Sequence, residues 1–191
     1  DIRKDAEFNS GTVGRRAYNE GTISDGTFQR EVYNYGTISN GTFQWEVTNE
    51  GTISGGIFQR RVYNYEIISD GTFQGNVRNY GTISGGTFEE AVGVYASSRT
   101  EAKIEGGTFE KDMTLANDDA PITIKDGLFD GEVVTKKCDS PLSISGGLFT
   151  KAVDVSNITN LPNLQITGGY FVNEPTMPEG SDTGSVSYTH L

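Results

Sequence analysis

The chain has 191 residues, among them 25 Gly, 10 Phe, 9 Tyr, one Cys and one His, with a formal net charge of −11 and a mean hydropathy of −0.44. No stretch approaches the roughly 18 apolar residues of a membrane-spanning helix, and an acidic chain lacks the basic surface that nucleic-acid phosphates require. The lone Cys138 excludes an internal disulfide framework and a multi-cysteine zinc site.

So much Gly with few aliphatic residues would suit a linker, but the positions of the Phe overturn that reading. The first unit is degenerate, with Phe8 and Val13 at positions that later units give to Ile and Phe. From residue 21 the chain repeats every 15 residues, as GTISDGTFQREVYNY, GTISNGTFQWEVTNE, GTISGGIFQRRVYNY, EIISDGTFQGNVRNY and GTISGGTFEEAVGVY. Phe28, Phe43, Phe58, Phe73 and Phe88 mark this period, and Phe109, Phe129, Phe149 and Phe171 extend it at steps of 21, 20, 20 and 22, giving ten units.

Each unit carries three apolar registers. In the first narrow coils these are Ile23, Phe28 and Val32, then Ile38, Phe43 and Val47, then Ile53, Phe58 and Val62. The spacing lacks the i, i+3, i+4, i+7 pattern of an amphipathic helix and predicts three short strands per unit. Ile23 and Phe28 are five apart and would face opposite sides of an unbroken strand, since side chains alternate with period two. Two residues before the register Phe stands Gly in every unit, and three before it only Ser, Asp, Asn or Gly. Such residues tolerate tight-turn backbones, so a corner there lets both apolar side chains point inward. The expected fold is all-β: a single-stranded parallel β-solenoid of about ten coils, roughly triangular in section, rising about 4.8 Å per coil.

Asn19, Asn34, Asn49, Asn64 and Asn79 lie two residues past the inward Val (Ala17 in the first unit), with inward parity, and read as a hydrogen-bonded asparagine ladder. Tyr33, Tyr35, Tyr63, Tyr65, Tyr80 and Tyr95 flank that ladder with outward parity, and Tyr18 begins the column. An exposed tyrosine strip of this kind would stack on sugar rings or a partner surface, or else its rings would pack on one another to seal a thin rod. Trp45 shares a register with Arg30 and Arg60, which suggests a cation–π stack. Thr22, Thr37, Thr52 and Thr82 flank the inward Ile on one side, and Ser24, Ser39, Ser54, Ser69 and Ser84 on the other. That double hydroxyl column is similar to insect-type ice-binding faces.

After Phe88 the extra residues fall between the Val register and the next Ile, as in MTLANDDAPITI, VVTKKCDSPLSI and VDVSNITNLPNLQI. Leu115, Val134, Leu142, Val155, Ile158 and Leu161 are the added apolar positions, and Cys138 is read as part of an inserted loop. Residues 1–95 are thus expected to form narrow coils, 96–174 a wider continuation of the same solenoid, and 175–191 a linker or tail. Charge follows this division: residues 1–100 carry 9 basic and 12 acidic side chains, and residues 101–191 carry 6 and 14.

Chemistry-bearing groups are sparse. With His190 near the end of the tail and Cys138 remote from it in sequence, no nucleophilic dyad is indicated. Asp118, Asp119 and Asp139 are candidate oxygen ligands for calcium, against the plainer reading of solvated loop charges. Asn40-Gly41-Thr42 and Asn157-Ile158-Thr159 match the glycosylation sequon. The chain begins at Asp1 and enters the repeat almost at once, which reads as a segment of a longer protein. The final VSYTHL matches the translation of a sequencing-adaptor sequence, which would make residues 186–191 foreign to the natural chain.

The GTISGGTF, PLSISGGLF and LQITGGYF units resemble the Gly-Gly-Thr-Phe repeat arrays of large bacterial surface or secreted proteins, familiar from gut Firmicutes, over roughly residues 6–174. The resemblance implies an extracellular, adhesin-like or stalk-like role. Pectate-lyase-like β-helices share the fold more distantly, but the lyase's constellation of basic and calcium-binding residues is not identifiable here, and fold likeness alone does not transfer activity. The expected function is a non-enzymatic extracellular scaffold. The alternative is carbohydrate binding along the tyrosine strip, with glycans or host-surface molecules as partners.

Overall fold

A computed structural model describes residues 1–97, 100–159, 161–181 and 189–190. The chain winds as a parallel β-solenoid in which each coil pairs with the coil before and after it, like residue on like residue. Ile23 pairs with Ile38, Phe28 with Phe43 and Val32 with Val47. The widening of the coils does not break these columns, since Ile83 pairs with Ile104 and Phe88 with Phe109. Among the described residues no helix is long and apolar enough to cross a membrane, and the one helical segment is the short 3-10 turn Leu161–Asn163.

The three strands of a coil fall into two sheets rather than three independent sides. The Ile and Phe strands belong to one 19-stranded sheet, and the Val strands form a separate nine-stranded sheet. In two coils a single strand, Thr52–Phe58 or Ile67–Phe73, runs through the corner. The corner there acts as a β-bulge, with Ser54 opposite Asp70 one residue out of the 15-residue register. The inserted residue resets the side-chain alternation, so that Ile53 and Phe58 both point inward.

Only the second corner residue has the left-handed backbone. The ten glycines two before the Phe register have φ between 102° and 135°, whereas none of the residues before them has positive φ. One left-handed residue suffices to shift the parity. Where the first corner residue is Asp, its carboxylate accepts the following Gly N–H, at 2.7 Å for Asp25 and 2.8 Å for Asp70 and Asp126.

Nine phenylalanines from Phe28 to Phe171 form one column of near-parallel rings, with centroids 4.5–5.1 Å apart and planes within 9°. Phe8 differs. It occupies the Ile position of the first coil, is only partly buried, and meets Phe28 edge-on at 61°. Each fully buried Phe removes a large apolar surface from water, contributing about 1.5–3 kcal/mol, so a chain of low mean hydropathy still has a continuous core.

In the wide coils the Val strand lengthens and its alternation places Leu115 inside; Leu142, which opens the Ile strand Leu142–Ile144, and Val155 and Ile158 beyond the last Val strand are buried as well. Val134 lies outside the core and Thr135 takes the inward position, its hydroxyl donating to the Asp154 carbonyl at 3.2 Å. Cys138 is not in a loop. It ends the strand Val133–Cys138 and is fully buried in the column of Ala96, Asn117 and Ile158. In the tail, Thr176 bridges to Asp154, and Thr189–His190 pairs in parallel with Tyr170–Phe171. The remaining residues of the VSYTHL end lie outside the described residues.

Candidate functional site

The outer face of the nine-stranded sheet concentrates the aromatic and cationic side chains of the narrow coils. Each Val strand alternates in, out, in. Val62 and Asn64 are buried, while Tyr63 between them faces out and is half-buried. Asn19, Asn34, Asn49, Asn64 and Asn79 are fully buried beneath this face. The Nδ2 groups of Asn19, Asn34, Asn49 and Asn64 each donate to the Oδ1 of the next asparagine at 2.6–2.7 Å. The Nδ2 groups of Asn34, Asn49, Asn64 and Asn79 also donate to the backbone carbonyl two residues on, at 2.8–3.3 Å. The ladder stops where Val94 pairs with Asn79. In the wide coils Asn117 serves a similar purpose, donating to the carbonyls of Ser140 and Pro141 at 3.1 Å.

The outward tyrosines divide into two columns. One runs through Tyr18, Tyr33, Thr48, Tyr63, Arg78 and Gly93. The other lies one residue past the asparagines and holds Tyr35, Tyr65, Tyr80 and Tyr95, with Glu50 between Tyr35 and Tyr65. Thr48 and Glu50 share a coil, so they separate Tyr18, Tyr33 and Tyr35 from Tyr63, Tyr65, Tyr80 and Tyr95.

Within a column the rings stack face to face. Tyr18 and Tyr33 are 5.1 Å apart, Tyr65 and Tyr80 5.0 Å, and Tyr80 and Tyr95 5.3 Å. Their faces therefore look along the rod axis and cover one another, while their edges meet solvent. A ligand cannot lie flat across such a stack. It can reach a ring face only where a column is interrupted or ends. Tyr63 stacks on no other tyrosine among the described residues but has the guanidiniums of Arg61 and Arg78 over its ring, at 5.9 and 5.8 Å. Arg61 Nη1 also donates to the Tyr63 hydroxyl at 3.2 Å, and this bond is the main cause that holds the Arg61 pKa above its ordinary value.

Other candidates have more ordinary surroundings. Arg30 lies over Trp45 at 5.9 Å, and among the described residues Arg60 makes no such contact. The hydroxyls of Ser54, Ser69 and Ser84 donate back into the rod, to the carbonyls of Ile38, Ile53 and Ile68 at 3.2–3.4 Å, and that of Ser24 meets the Glu7 carboxylate. Ser39, Ser54, Ser69 and Ser84 remain exposed. The Lys137 ammonium sits 2.5 Å from Asp118 and 3.2 Å from Asp139, so two of the three candidate calcium ligands already share a cation, and Asp139 also accepts from the Thr159 hydroxyl at 3.1 Å. Among the described residues no group of three or more His, Cys, Asp or Glu side chains is placed to hold a metal ion. Of the sequon asparagines, Asn40 is exposed, and Asn157 donates its side-chain amide to the Thr135 carbonyl at 2.9 Å.

Burial pushes the Cys138 thiol up from 9.0 to about 11. The folded chain therefore keeps this proton at pH values where the unfolded chain loses it. The effect on stability is nil below pH 9 and grows as pH rises from 9 towards 11, always against the fold. Near neutral pH the native thiol is expected not to react with a thiol reagent and to react stoichiometrically once denaturant is added. Rapid labelling of the native chain would show that the column around Cys138 is open.

No family model matches the chain, and no curated protein or solved structure shows significant similarity to it.

Proposed function

We propose that the chain is a non-enzymatic scaffold, a stalk-like or adhesin-like segment of a larger bacterial surface or secreted protein. The observation that supports this most is the continuity of its columns. The phenylalanine rings stack without a gap from Phe28 to Phe171 through both coil sizes, so each coil is held by the one before it and the one after it. Such an assembly is quasi-one-dimensional, and its length is set by the number of coils. The resemblance to Gly-Gly-Thr-Phe repeat arrays points to the same extracellular role.

A scaffold of this kind tolerates the loss of one whole coil. Deleting residues 36–50 joins Tyr35 to Gly51 in register. The shortened chain is expected to fold with the same circular dichroism and, by small-angle scattering, to lose about 4.8 Å of length. Failure of the deletion to fold, or scattering from a compact particle in place of a rod, would count against the proposal.

A second reading, glycan binding, is favoured by the exposed edges of Tyr35 and Tyr65 and by the interruption of the columns at Tyr63 and Tyr95. On a glycan array the intact chain would then retain sugars, and Tyr63→Ala combined with Tyr65→Ala would reduce the signal. An array without binding leaves the scaffold role alone.

A further inference from the structure

Gly93 is the one glycine in the outward column that begins at Tyr18. A strand glycine often marks a place where another group comes close. Here it forms the floor of a notch of about 200 Å³ lined by Arg61, Asn76, Arg78, Ala91, Tyr95 and Thr114. Such a volume is below the roughly 300–1,000 Å³ of pockets that enclose drug-sized ligands, and it suits a single small ring. Tyr95 leans over the glycine, since a Cβ there would lie 2.5 Å from its ring. It is also the last tyrosine of its stack, with Tyr80 against one face and Ala116 holding the same position in the next coil.

The charge at the notch runs against that of the rod. All eight arginines lie between Arg3 and Arg99, in a chain of net charge −11. Arg61 pairs with Glu46 at 3.5 Å, whereas Arg78 is exposed and forms no ion pair among the described residues. A planar guanidinium is well matched to a carboxylate, which it can grip through two parallel hydrogen bonds. Asn76 and Thr114 add short polar groups able to meet hydroxyls. The combination is two guanidiniums, a tyrosine ring seated over Gly93 at the end of its stack, and hydrogen-bonding groups, all lining one notch.

We propose that this notch binds a carboxylate-bearing sugar, a hexuronate unit of an acidic polysaccharide. Arg78, with Arg61 beside it, takes the carboxylate, and Tyr95, Asn76 and Thr114 take the ring and its hydroxyls. The proposal rests on the glycan-binding reading and adds its substrate class and site. The cationic patch is too small for a nucleic acid, which spreads charge over many phosphates.

The test titrates the intact chain with a galacturonate tetrasaccharide, its neutral galactose counterpart and polyglutamate, following tyrosine fluorescence or amide NMR shifts. The acidic sugar is expected to bind at least about tenfold more tightly than the neutral one, and to weaken as salt is added. Arg78→Gln should abolish that preference without moving the thermal midpoint, while Arg30→Gln, on another face, should keep it. Equal binding of the two sugars, or an unaltered preference in Arg78→Gln, overturns the proposal and leaves glycan binding standing. Polyglutamate binding as tight as the acidic sugar overturns it in favour of simple charge attraction. If neither sugar binds, both the proposal and the glycan reading fall.

Discussion

Replacing Phe58 by alanine is expected to destabilise the rod by about 3–5 kcal/mol, the cost typical of emptying a large buried aromatic site. Phe58 is fully buried, with the rings of Phe43 and Phe73 at 4.7 and 4.8 Å on its two faces. Removing the ring takes the packing partner from two coils at once. The backbone cannot close the gap, because the strand spacing of about 4.8 Å is fixed by hydrogen bonds. Phe8→Ala should cost much less, since Phe8 is partly exposed and touches the column only edge-on. Denaturant titration of both variants measures the difference. A Phe58→Ala cost below about 1 kcal/mol would mean that the column is not close-packed.

The second large effect belongs to the asparagine ladder and depends on position within it. Asn49→Val leaves the Oδ1 of Asn64 without its donor and takes the Oδ1 acceptor from Asn34, whose Nδ2 keeps the carbonyls of Gly36 and Thr52. A buried polar atom left without a partner costs about 1–3 kcal/mol, and the lost hydrogen bonds add to it, so a total of about 2–4 kcal/mol is expected. Asn79→Val should be milder by roughly the cost of one orphaned oxygen. Asn79 is the last member of the ladder, and the Nδ2 of Asn64 would still donate to the carbonyls of Glu66 and Thr82. Equal losses at the two sites, measured by thermal and denaturant unfolding, would show that the asparagines act singly and not as a chain of hydrogen bonds.

Much of the fold was legible because a parallel in-register stack makes sequence period and spatial neighbourhood the same thing. A residue and its counterpart 15 positions on are hydrogen-bonded neighbours, as Ile23 and Ile38 or Asn34 and Asn49 are. The glycine two before each Phe could be read as a corner for a similar reason, since a shift of parity needs a left-handed residue and every coil needs one. The registers became harder to read after Phe88. Insertions of different length hide which residues of a longer strand point inward, and Val134, Thr135 and Cys138 were assigned their sides only by the pairing of the strands Met113–Asn117 and Val133–Cys138.

The candidate sites depended still more on lateral geometry. Which tyrosines share a column follows from their spacing, but whether a ring presents its face or its edge depends on side-chain rotation, and the observed stacking turns the faces along the axis. That Lys137 lies between Asp118 and Asp139, or that Ser54 turns its hydroxyl back to Ile38, likewise involves contacts between coils that no fixed spacing specifies. By itself, then, the sequence determined the solenoid, its coil count and its inward columns, because stacking on a fixed strand spacing repeats each residue's surroundings at each turn. Only the tertiary structure decided that the Ile and Phe strands merge into one sheet, and that Arg61, Arg78 and Tyr95 meet around Gly93. Those outcomes are set by how sharply each corner bends and how each outward side chain rotates, neither of which the repeat period constrains.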